Sequence, residues 1–144
     1  MSKQEKKGVS LINILIPVVL VAGIPIVFLF TSDSKDQSQL LYEAQCANCH
    51  GTSGEGLRNL YPPLAKADFV EEHPEKIACI IRNGMEGEVV VNGKTYNQPM
   101  PGNQQLSADQ IANIINYIRR NWGNEAPYTT PQKVQEQLRQ ENCE

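Results

Sequence analysis

The chain has 144 residues with 13 basic and 16 acidic side chains, enough for one small domain plus extensions. Beyond Phe30, ten basic residues stand against fifteen acidic ones, a net charge of −5. That balance argues against nucleic-acid binding and adhesion to anionic lipid, and glycine loops of the phosphate-cradling kind are absent.

Residues 1–8 carry Lys3, Lys6 and Lys7, partly offset by Glu5. Residues 9–30 follow with no charged side chain in 22 positions. As a helix this run would measure about 33 Å, against a hydrocarbon core of about 30 Å. Pro17 and Pro25 would kink it, which membrane helices tolerate. The basic residues before it predict a cytoplasmic N-terminus and an uncleaved transmembrane anchor. A cleaved signal peptide is the competing reading. The run exceeds an ordinary signal core, and an A-x-A cleavage pattern is lacking in the residues that follow. Residues 31–39, TSDSKDQSQ, read as a solvated linker.

The next segment, 36–50, reads as a helix that ends in Cys46-Ala47-Asn48-Cys49-His50. C-x-x-C-H is the attachment motif of c-type haem. Cysteines three apart share one helix face, so both can reach the vinyl groups on one porphyrin edge. His50, next in the chain, is then aimed at the iron. A thioredoxin-like dithiol would need a βαβ setting, which the sequence lacks. A structural zinc site would need a second compact ligand pair, and His73, Cys79 and Cys143 do not form one.

Residues 51–64 form a loop with three glycines and Pro62-Pro63. Pro74 in a first turn and Gly84 at the far end predict a short helix over 74–83. Residues 89–96, VVVNGKTY, read as a small hairpin on an Asn-Gly turn, or as an irregular loop. Met100 sits between Pro99 and Pro101, a stiff extended loop suited to holding a thioether against iron. Core filling is the alternative role for Met100. His73, beside a helix start, is the runner-up as distal ligand. Ser107 and Gln110 predict a capping box opening a helix over 108–122, with Ile111, Ile114, Ile115, Ile118 and Trp122 on one face. Arg119 and Arg120 are expected to be solvated. Thr130-Pro131 opens a polar tail in which Val134 and Leu138 share a helical face.

LYEAQCANCHG, then YPPLA, then the stretch 81–124 that contains Met100-Pro101, together resemble the class I cytochromes c over residues 40–123. The last stretch is particularly similar to haem domains of bacterial respiratory complexes, those beside haem–copper oxidases or alternative complex III. The resemblance implies an all-α class I cytochrome c fold with one covalent haem c. It implies iron ligation by His50 and Met100, and a loop proline carbonyl that orients the histidine ring. Pro63 is the better match for that carbonyl, with Pro62 the alternative.

The organisation expected is a cytoplasmic segment 1–8, an anchor 9–30, a linker 31–39, a cytochrome domain 40–123 and a partly helical extension 124–144. The expected function is electron transfer between redox proteins of a membrane respiratory chain, toward a terminal oxidase, with no small-molecule substrate. The expected location is the bacterial inner membrane, single-pass, with the haem domain on the periplasmic side. A permanent haem subunit of a respiratory complex is the alternative, and a peroxidase-type enzyme is a third reading. After haem attachment Cys79 and Cys143 remain as an even pair, so a disulfide between them is open.

Overall fold

The computed structural model describes residues 36–140. Helix α1 is Gln37–Gln45, started by Asp36, whose carboxylate accepts from the Ser38 amide at 3.3 Å and its hydroxyl at 2.8 Å. The helix expected over 36–50 is not continuous. Cys46, at φ −123° and ψ −36°, ends α1, and α2 resumes as Ala47–His50. Hydrogen bonds still cross the break, from the Cys46 amide to Tyr42 O and from the His50 amide to Cys46 O. The chain therefore changes direction at the first cysteine without losing its backbone pairing.

Helix α3, Asp68–Glu72, was not evident from the sequence, and α4, Ile77–Asn83, starts three residues later than the expected 74–83. The late start goes with long-range partners. The Pro74 carbonyl accepts from Arg119 Nη2 at 3.2 Å and Gln137 Nε2 at 3.3 Å, partners from later in the chain.

The all-α expectation holds for most of the domain, with two small antiparallel pairs added. The predicted hairpin is present. Strands β2, Val89–Val91, and β3, Lys94–Tyr96, pair around Asn92 at φ 51° and Gly93 at φ 72°, the positive values an Asn-Gly turn supplies. The second pair, β1 (Gly84–Met85) with β4 (Met100–Pro101), joins residues too far apart in sequence for a local pattern to show.

Helix α5, Ala108–Arg120, opens with the predicted capping box between Ser107 and Gln110. It stops two residues short of the expected end. Trp122 turns to φ 58° and lays its ring 5.1 Å from that of Tyr42 and 5.4 Å from that of Tyr117. These three rings join α1 to α5. The isoleucine stripe of α5 is the centre of the core: Ile111, Ile114 and Ile115 are almost wholly buried, and each contributes about 2 kcal/mol of burial.

The extension beyond 123 folds onto the domain as α6, Pro131–Arg139, capped by Thr130 and burying Val134 against α5 and α4. Asn116 binds the Thr129 backbone twice, donating from Nδ2 to its carbonyl and accepting its amide at Oδ1, both at 2.9 Å. Arg119, expected to be solvated, is 5% exposed. It donates to the Pro127 carbonyl at 2.7 Å and to that of Pro74, because the returning segment covers the helix face where it stands. Burial holds its pKa below the ordinary guanidinium value.

The expected single-pass location in the inner membrane requires correction: no helix among the described residues is long and apolar enough to cross a membrane. The apolar run 9–30 on which that expectation rested lies outside the described residues. Cys79 is disulfide-bonded, while Cys46 and Cys49 are free. Cys143 lies outside the described residues.

Candidate functional site

A cavity of about 90 Å³ opens between α2, α4 and the two β pairs. Its walls are apolar and include Cys46, His50, Phe69, Ile81, Met85 and Met100. A second, smaller opening onto the same space is lined by Cys49, Tyr61, Pro62, Pro99 and Met100. Thus Cys46, Cys49, His50 and Met100, separated by up to 54 positions in the sequence, face one site. Pro63 lines the cavity as well.

The ring of His50 is buried, and its Nδ1 lies 3.0 Å from the Pro62 carbonyl. A carbonyl only accepts, so Nδ1 carries the proton and Nε2 keeps its lone pair. Burial lowers the His50 pKa, outweighing the opposing effect of the Pro62 carbonyl, and favours the neutral ring that a metal ligand must be. The family resemblance favoured Pro63 for this contact, with Pro62 the alternative, and in the structure the carbonyl is that of Pro62.

The reason lies in the loop backbone. The Gly56 amide donates to His50 O at 2.8 Å, and Leu57 pairs with Tyr61 across a short bridge. The Leu64 amide then donates to Gly54 O at 2.8 Å. These bonds set the register in which the Pro62 carbonyl faces the ring. Gly56 permits it: a β-carbon there would come within 2.5 Å of Tyr61 O, and its φ is +71°. The Tyr42 hydroxyl donates to Gly51 O at 2.7 Å and fixes the chain just after the motif. Burial, and then the neighbouring Cys49, push the Cys46 thiol up to about 12.

Met100 is held by β4. Gly84 and Gly102 let two backbone segments touch: a β-carbon at Gly84 would lie 2.5 Å from Met100 O, and one at Gly102 would lie 2.5 Å from the Gly84 amide nitrogen. The Asn103 amide adds a bond to Ile81 O at 3.0 Å. The methionine loop is thereby clamped to the end of α4. His73, the runner-up ligand, does not line this cavity. It sits in an adjoining cleft with its ring on Phe69 at 4.8 Å and its Nδ1 3.7 Å from Glu75.

Sequence reasoning set Met85, just past the helix end at Gly84, aside in favour of Met100; the two are directly opposed partners in the β1–β4 pair. It missed Phe69 and Val70, wall residues supplied by α3. Among the described residues no cluster of three or more His, Cys, Asp or Glu side chains could hold a metal ion by itself. The donor set instead suits an iron brought in by a macrocycle. It comprises two thiols for covalent attachment, one neutral imidazole and thioethers, around an apolar slot.

Residues 36–122 match the sequence profile of the family described as cytochrome c. Among curated proteins the chain is 40% identical over 91 residues to the alcohol dehydrogenase (quinone) cytochrome c subunit of Gluconacetobacter polyoxogenes, a match covering 61% of this chain and 19% of that subunit. It is 36% identical over 84 residues to cytochrome c-552 of Thermus thermophilus, covering 56% of this chain and 64% of the relative. To the gluconate 2-dehydrogenase cytochrome c subunit of Pantoea cypripedii it is 30% identical over 118 residues, covering 78% and 26%. The chain thus spans about a fifth of the dehydrogenase subunit first named and under two thirds of cytochrome c-552. With the attachment motif at the mouth of an apolar cavity and the profile matched over most of the described domain, the chain belongs to the cytochrome c family, electron carriers with covalently bound haem c.

Proposed function

We propose that Cys46 and Cys49 attach the haem, that His50 and Met100 are its axial ligands, and that the protein hands single electrons from one redox protein to another. The observation that carries this reading is the shared cavity: a tautomer-locked imidazole and a clamped thioether face the same apolar space. Haem iron supplies a one-electron ferrous/ferric couple when bound. The chain's own residues do the rest. The Pro62 carbonyl orients His50 and keeps Nε2 unprotonated. The β1–β4 pair holds Met100. Phe69, Val70, Ile77, Ile81 and Ile118 keep water out, which limits the rearrangement that each change of charge would otherwise cause.

A thioether opposite an imidazole raises the reduction potential, so we place this carrier toward the oxidising end of its chain, with a terminal oxidase as the final acceptor. With His50 and Met100 both holding the iron, no position would stay open for peroxide or another substrate. The domain proposed for this task is 40–123, braced by the extension from 124 onward.

One observation favours a second reading, a fixed subunit. Several relatives are named as cytochrome c subunits of dehydrogenases. In that arrangement the donor would be a dehydrogenase partner and the electron would leave by the same haem. Purification of the tagged chain under mild conditions separates the two: a stoichiometric dehydrogenase partner supports the subunit, and a lone carrier supports the shuttle. The ligand assignment is tested by proton NMR of the ferrous protein with methyl-labelled methionine. One methyl shifted strongly upfield by the porphyrin ring current and assigned to Met100 is the expected result. The same shift assigned to Met85 would overturn it.

A further inference from the structure

The β1–β4 pair places two methionines, not one, on the distal side of the cavity. Met85 and Met100 are direct cross-strand partners. Directly opposed residues of an antiparallel pair project from the same face with β-carbons about 5 Å apart. Both side chains line the main cavity and also the smaller opening beside Cys49. Both are partly buried.

The donor inventory of the cavity sharpens this. Among the described side chains lining the main cavity, those with a nitrogen or sulfur atom are Cys46, His50, Met85 and Met100. Cys46 and Cys49 would be consumed by haem attachment, and His50 would hold the iron from the other side. Met85 is then the remaining soft donor. The clamp that presents it does not depend on the Met100 side chain. It is built from backbone: the close approach of Gly84 to Met100 O, of Gly102 to the Gly84 amide nitrogen, and the Asn103 to Ile81 bond. Losing the Met100 thioether would leave β1 in place. It would also open the volume into which a flexible, unbranched side chain could swing.

We propose that Met85 is a reserve axial ligand, a thioether beside Met100 that takes the iron's distal position when the Met100 sulfur is withdrawn. The proposal rests on the assignment of Met100 as the resident ligand. Its consequence is that the carrier stays six-coordinate after loss of its ligand and remains closed to small molecules. A single-methionine site would instead open to them.

The test compares haem-loaded full-length chains carrying Met100→Ala, Met85→Ala and both substitutions. Covalent attachment keeps the haem in each of them. The readouts are spin state, the far-red sulfur-to-iron band of the ferric form, methionine-methyl NMR of the ferrous form, and carbon monoxide binding. The expected pattern has four parts. Met85→Ala keeps the band unchanged. Met100→Ala stays low-spin with the band displaced and the Met85 methyl shifted upfield. The double variant loses the band and becomes high-spin. Carbon monoxide binds readily to the double variant alone.

A high-spin Met100→Ala protein, indistinguishable from the double variant, would overturn the proposal. A low-spin form with a nitrogen ligand from the neighbouring cleft, His73 or Lys76, would overturn it equally. Met100→Val leaves a smaller void and serves where the alanine variant misfolds, with the same outcomes deciding. Loss of the band on Met85→Ala alone is a separate result. It would mean that Met85 is the resident ligand and would refute the Met100 assignment instead.

Discussion

Replacing Gly102 by alanine tests whether the methionine loop is clamped to α4 by direct backbone contact. Gly102 has an ordinary φ, so the substitution adds no left-handed strain, and its cost is steric. The new β-carbon would lie 2.5 Å from the Gly84 nitrogen and 2.6 Å from Arg82 O, and closer still to the Asn83 carbonyl carbon. Comfortable contact needs about 3.5 Å, so the two segments must part by about 1 Å. These neighbours are backbone and cannot rotate away. An overpacking cost of about 3 kcal/mol follows, at the upper end for an added methyl group. In guanidinium unfolding that is a midpoint shift of about 1 M. The displacement also carries Met100 off its position, so the far-red band should weaken or vanish. Gly87→Ala is the control. Its φ is +86° but nothing lies within 4 Å of the added carbon, so it should cost only the backbone term of about 1 kcal/mol and leave the band intact. Equal effects of the two substitutions, or a Gly102→Ala protein with wild-type midpoint and band, would refute the clamp.

Asn116→Ala should destabilise the domain by about 3 kcal/mol in urea unfolding, since it leaves the buried amide and carbonyl of Thr129 without partners. Val134→Ala, in a fully buried position on α6, should cost about 2 kcal/mol and leave the haem spectrum unchanged. Asp36 contributes a pH-dependent element. Hydrogen bonds from Ser38, and then Arg120, hold its carboxyl below the usual range. A depressed folded-state pKa means that its stabilisation is present above the unfolded value and is lost as pH falls through the folded one. Acid titration of Asp36→Asn should therefore lack part of the low-pH decline seen in the wild type.

The parts of this protein legible in its sequence are those fixed by neighbours in the chain. The Ser107–Gln110 capping box and the Asn92-Gly93 turn each depend on residues within three positions, and each has the local structure expected of it, whereas the helix expected to carry the whole C-x-x-C-H motif breaks at Cys46. What escaped depends on distant partners. Whether Pro62 or Pro63 faces His50 is set by the Leu57–Tyr61 bridge and the Leu64 to Gly54 bond, which no dipeptide pattern encodes. Arg119 reads as a surface cation on its helix, and it is buried by distant segments whose Pro127 and Pro74 carbonyls it reaches. The β1–β4 pair is two residues long and joins positions on either side of a hairpin, so the opposition of Met85 and Met100 is invisible to periodicity. The α4 start is delayed by carbonyl partners from α5 and α6.

Every role proposed for these residues depends on covalent haem at the Cys46–His50 motif. Acid–acetone extraction of the purified protein, followed by intact-mass measurement and peptide mapping, tests this most directly. The expected result is one haem mass retained on the polypeptide and located on the peptide that contains Cys46 and Cys49. Haem released into the acetone, or a polypeptide at its unmodified mass, would contradict covalent attachment at Cys46 and Cys49.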